Sequence, residues 1–147
     1  MAIMMIAMVV MLAFLGSMQR SESFASDRTD ALDEMRQGVN RLTRDGRQAI
    51  VISPNSTASR LEMTTYVSGA PATVVWEASG TRLTRIVDGS TGFMVLDNLA
   101  STNLFVYSPS VADAQVVEVT VQVVPSHAPD TTLELTSEIR PRNRSEQ

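Results

Sequence analysis

The sequence predicts an α+β fold in which a long N-terminal helix, a transmembrane part followed by an amphipathic stalk, packs on a small antiparallel β-sheet head. Three observations predict it. Met1 to Leu15 (MAIMMIAMVVMLAFL) is apolar throughout; Leu32, Met35, Val39 and Leu42 then recur at alternating steps of three and four; beyond Pro54 the period becomes that of strands. Removing the helix leaves roughly a hundred residues for the head, enough for one modest core. Net charge is −4, and every cation is Arg, spread among a larger number of carboxylates, so no basic face for nucleic acid is expected. Cysteine is absent, which excludes disulfides, thiolate metal sites and thiol nucleophiles.

The apolar start spans roughly 23–25 Å at about 1.5 Å per residue, close to the ~30 Å of a hydrocarbon core. A signal peptide would need basic residues ahead of the run and a small-x-small cleavage site after it, and Ala13-Phe14-Leu15-Gly16-Ser17 is a poor one. A helix buried within the head would need cover on all sides, which the rest of the sequence does not supply. The expectation is therefore a membrane helix over 1–19.

No proline follows until Pro54, and Gly38 is the only glycine between Gly16 and Gly46, so the helix continues as a stalk over 20–52. Its acidic residues come first (Glu22, Asp27, Asp30, Asp33, Glu34) and its arginines last (Arg36, Arg41, Arg44, Arg47), which suits the helix dipole. Asp45-Gly46 offers a stop. Leu32, Met35, Val39 and Leu42 are the expected seam between stalk and sheet. The segregated charges read as a solvated face, or as bands that meet between staggered neighbouring helices.

The head is expected over 53–140. Leu61, Met63, Thr65 and Val67 alternate with Glu62, Thr64 and Tyr66. Val74-Val75-Trp76 and Leu83 to Val87 flank Ser79-Gly80 as a hairpin, and Asp88-Gly89 turns the chain toward Phe93 to Leu96. Leu104 to Tyr107 is a short strand closed by Pro109. Gln115 to Val124 and Thr131 to Ile139 each carry one wet face and form an antiparallel pair. The tail 141–147 is polar and expected to be flexible, although Arg140 and Arg142 could still close the end of the last strand.

Residues that could carry chemistry are few. His127, the single histidine, lies between Pro125 and Pro129, a poor setting for a catalytic base. No HExxH, GxSxG, Walker or GxGxxG pattern occurs. Asp88, Asp97 and Asp113 could in principle hold a hard cation, but their spacing matches no calcium loop and suits turns. Trp76, Tyr66, Phe93, Phe105 and Tyr107 lie in strand-like runs, where core packing outweighs a sugar-stacking surface. Met1, Met4, Met5, Met8 and Met11 serve as adaptable packing. No catalytic, cofactor-binding or metal residue is assigned.

In order and spacing, MAIMMIAMVVMLAFLGSMQRSE, ALDEMRQGVNRLTRDGRQA, LTRIVDG, VVEVTVQVV and LTSEIRPRN resemble the type IV pilin and pseudopilin superfamily, closest to the J-type minor pseudopilins of type II secretion and the W-type minor pilins. The resemblance implies a non-enzymatic structural subunit of a type IV pilus or secretion pseudopilus, assembling through its N-terminal helix. It also implies a single-pass place in the cell membrane with the head on the extracytoplasmic side, methylation, and other pilin or pseudopilin subunits, the lipid bilayer and a prepilin peptidase as partners. The family's charged leader ending in Gly, followed by Phe-Thr-Leu-Ile-Glu, is missing. The expectation is that Met1 is an internal start. The alternative is a membrane-tethered extracytoplasmic binding domain, adhesive or carbohydrate-binding, for which an exposed aromatic row would speak.

Overall fold

Alternation of apolar and polar residues builds the strands, and glycine-bearing turns set their order. A computed structural model describes residues 2–126 and 128–142, with side chains described for Met11 and for the residues from 25 onward within those ranges. In β2 (Arg60–Val67) Leu61, Met63 and Thr65 are buried while Tyr66 is exposed. The strand returns antiparallel as β3 (Ala70–Ser79) across Ser68-Gly69, both at positive φ, 53° and 85°, which suits a two-residue hairpin turn. β4 (Arg82–Val87) follows Gly80, and β5 (Phe93–Leu96) follows Asp88-Gly89. The two-residue β1 (Val51–Ile52) pairs with the free edge of β2, giving a five-stranded sheet in the order β1-β2-β3-β4-β5.

A second sheet is made of β6 (Phe105–Ser108), β7 (Val116–Val123) and β8 (Leu133–Ile139), in that order. Val117, Val119, Val121 and Val123 face inward from its central strand. The stretch between β5 and β6 laces the sheets together. Leu99 N–H donates to the carbonyl of Thr81, Ala100 N–H to that of Gln122, and the amides of Leu104 and Phe105 both to that of Ala58.

Helix α1 (Ala2–Arg47) covers the inner faces with its C-terminal half. Met35, Val39 and Leu42 are at most 4 % exposed and Leu32 is partly buried, so the expected seam is formed by the expected residues. Burying each side chain is worth about 1.5–3 kcal/mol. Gly38 and Gly46 let the helix approach closely: a Cβ on Gly38 would lie 3.0 Å from Leu96 Cγ, and one on Gly46 only 2.5 Å from Ile139 Cγ2. The helix runs past Asp45-Gly46 and ends after Arg47, where Arg142 N–H donates to the Arg47 carbonyl.

Two expectations are corrected. The fold class is mostly β, eight strands in two antiparallel sheets, in place of a long apolar helix on one small sheet; the helix described with its side chains runs from Ala25 to Arg47. Each predicted strand exists, but alternation within a strand does not say which neighbour it pairs with, and the break falls between Leu96 and Phe105. The single-pass membrane placement is also overturned: among the described residues no helix is long and apolar enough to cross a membrane. Asp27, Arg28, Asp30, Asp33, Glu34 and Arg36 crowd the part of α1 that is described with its side chains, and such a density of charge does not suit hydrocarbon.

Candidate functional site

The most unusual chemistry of the chain lies under the last turns of α1. Trp76 and Arg85 are cross-strand partners on β3 and β4, and both point toward the helix. There the Asp45 carboxylate receives the Arg85 guanidinium, Nε to Oδ2 2.7 Å, and the indole N–H of Trp76, Nε1 to Oδ2 3.2 Å. Thr65 on β2 donates its hydroxyl to the Asp45 backbone carbonyl at 3.1 Å. The Arg85 and Asp45 side chains are only 14 % and 11 % exposed, so the pair is largely desolvated and is held by a short charge-assisted bond. Phe93 lies next to Arg85 across β4 and β5, and Arg41 of the helix sits over its ring at 5.5 Å from the centroid. Chemically this arrangement fixes a helix to a sheet.

A second tether joins the sheets. The Tyr107 hydroxyl of β6 lies 3.0 Å from the carbonyls of both Thr57 and Arg60, and burial pushes its phenol pKa well above the ordinary value.

On the solvent side of the same helix end lies a groove of about 580 Å³. Asn40, Thr43, Arg44 and Arg47 wall it from α1, Gln48 from just after the helix, and Ser137 and Arg142 from β8 and the residues after it. Among the described residues no carboxylate lines it. Glu138 belongs to an adjoining hollow, where Arg140 engages it. Thr43 Oγ1 and Ser137 Oγ lie 3.4 Å apart at the junction of helix and strand.

The sequence candidates fall in separate places. Asp88 accepts the Thr73 amide at 2.8 Å and returns its own to the Thr73 carbonyl. Asp97 accepts from the Asn98 amide and the Thr81 hydroxyl and lies 3.5 Å from Arg82; the Asn98 N–H above all holds its carboxyl below the usual range. The Asp113 amide is bound by Ser110 Oγ. Among the described residues no three potential metal ligands come together. His127, Met1 and the side chains of Met4, Met5 and Met8 lie outside the described residues, as does 143–147 of the tail. Of the aromatics, Trp76 and Phe105 are buried, whereas Tyr66 and Phe93 are exposed on opposite faces of the first sheet and form no row.

Sequence reading missed the Asp45–Arg85–Trp76 cluster and the groove. One signal for the cluster exists: Arg85 sits between Leu83 and Val87 on the inward parity of β4, where a charge needs a buried partner. The groove depends on Arg142 meeting Arg44 and Arg47 across the fold, and nothing local encodes that. Comparison with family models, curated proteins and solved structures gives no match to this chain.

Proposed function

We propose that this chain is a structural subunit of the minor pilin or pseudopilin kind, which assembles with other such subunits through α1 and carries no catalytic role. The observation that carries the reading is how the core is closed. Both sheets are covered by α1 from Ala31 onward, while the sequence sets the apolar run Met1 to Leu15 ahead of that half. An all-apolar run of this length needs cover from water, and other subunits supply it. The Asp45–Arg85 pair suits the same role, because a load on the helix passes through it into β4 and, by way of Trp76, into β3. A sugar-stacking or adhesive surface has less support, since Trp76 is fully buried and, among the described residues, the exposed aromatics Tyr66 and Phe93 are divided between two faces.

Sedimentation velocity tests the reading. The full chain should form assemblies, and a chain beginning at Ser26 should fold and remain monomeric. A full chain that is monomeric without detergent contradicts it.

A further inference from the structure

The geometry points to the groove formed by Arg44, Arg47 and Arg142 as a binding site for a small phosphate-class oxyanion. Three arginines border one hollow, none of them ion-paired among the described residues, and no carboxylate of the described residues lines it; Glu138, in the adjoining hollow that Arg47 and Arg142 also border, is engaged by Arg140. Guanidinium forks match phosphate oxygens in pairs, which a point charge does not. At about 580 Å³ the groove is of small-molecule size.

The ordinary reading of Arg44 and Arg47 is that they cap the helix C-terminus. Here the capping is already done. The carbonyl of Arg44 accepts from the Gln48 amide, that of Asp45 from the Thr65 hydroxyl, that of Gly46 from the Ala49 amide and that of Arg47 from the Arg142 amide. The guanidiniums are therefore not needed by the last turn, and the charges repel one another until an anion arrives.

The hydroxyls add direction. Thr43 and Ser137 have only each other as partners among the described residues, and one mutual bond uses one of their two hydrogens. The other hydrogen is left to donate into the groove. Two or three guanidinium forks and a hydroxyl together form the donor set of an oxyanion site. This inference stands apart from the assembly reading, because the groove lies in the half of α1 that packs on the head.

Isothermal titration of the full chain with inorganic phosphate and with pyrophosphate, at fixed ionic strength, tests it. Saturable one-to-one binding is expected, tighter for pyrophosphate. Arg44→Gln and Arg142→Gln should each weaken it at least tenfold, Arg142→Lys less, and Arg82→Gln, at the far Asp97 contact, not at all. All three positions are solvent-facing, and circular dichroism establishes that the variants are folded. Absence of saturable heat overturns the inference, as does binding that survives the Arg44→Gln/Arg142→Gln double variant. Self-association that Arg44→Gln abolishes, without any pyrophosphate binding, also overturns it and assigns the groove to the acidic stretch of a second copy's helix.

Discussion

Replacing Asp45 by Ala removes the one acceptor shared by Arg85 and Trp76, and the cost can be worked from the contacts. The 2.7 Å bond to Arg85 is charge-assisted, a type worth about 1.5–3 kcal/mol, and the stranded indole N–H, buried at 0 % exposure, adds about 1–3 kcal/mol. Breaking a buried pair from one side costs about 3–5 kcal/mol in all; the 14 % exposure of Arg85 lets some water reach its guanidinium, so about 3 kcal/mol is expected. Trp76 is the single tryptophan, so fluorescence-detected urea unfolding reports from the site itself. The double variant Asp45→Leu/Arg85→Met should lose only about 1–2 kcal/mol, because no charge is then stranded and the indole alone lacks a partner. A loss below about 1 kcal/mol in Asp45→Ala, or a double variant as costly as the sum of the single changes, would refute the reasoning.

Other changes probe the seam and the turns. Gly46→Ala gains about 1 kcal/mol of helix propensity but drives a Cβ to 2.5 Å from the buried Ile139 side chain, so a net loss of about 1–2 kcal/mol should appear as a lower urea midpoint with an unchanged slope. Val39→Asp puts an unpaired carboxylate at a position 4 % exposed, and loss of the cooperative unfolding transition is expected at neutral pH. Asp97 has a lowered folded-state pKa, set first by the Asn98 amide, so its stabilisation is present above the unfolded carboxylate value near 3.8 and fades as pH falls through the folded one. Asp97→Asn should accordingly reduce the acid-side slope of stability below about pH 4, read from urea midpoints, and leave the slope near pH 7 unchanged.

What was legible in the sequence was local. Leu61, Met63 and Thr65 announced the inner face of β2, Val117 to Val123 that of β7, and Leu32 to Leu42 the helical seam, because period and burial are set by near neighbours. The division into two sheets was not legible, since it turns on Leu99, Ala100 and Leu104 finding backbone partners as distant as Thr81, Gln122 and Ala58. Asp45 was misread as part of a turn signal: Asp-Gly is turn-like in isolation, but the carboxylate serves Arg85 and Trp76, and Gly46 is small because Ile139 lies against it. Arg142 read as part of a polar, flexible tail that could at most close the last strand. Its amide instead caps Arg47, and its side chain completes the groove.

The central claim, that the apolar run of α1 meets other subunits and not its own head, is tested most directly by cross-linking. The chain has no cysteine, so a single introduced thiol reports unambiguously. Ala7→Cys in the full chain should give disulfide-linked dimers under mild oxidation, while Asn55→Cys, in the exposed loop after β1, should give few at the same concentration. Ala7→Cys that stays monomeric, or that cross-links no faster than Asn55→Cys, would contradict the account.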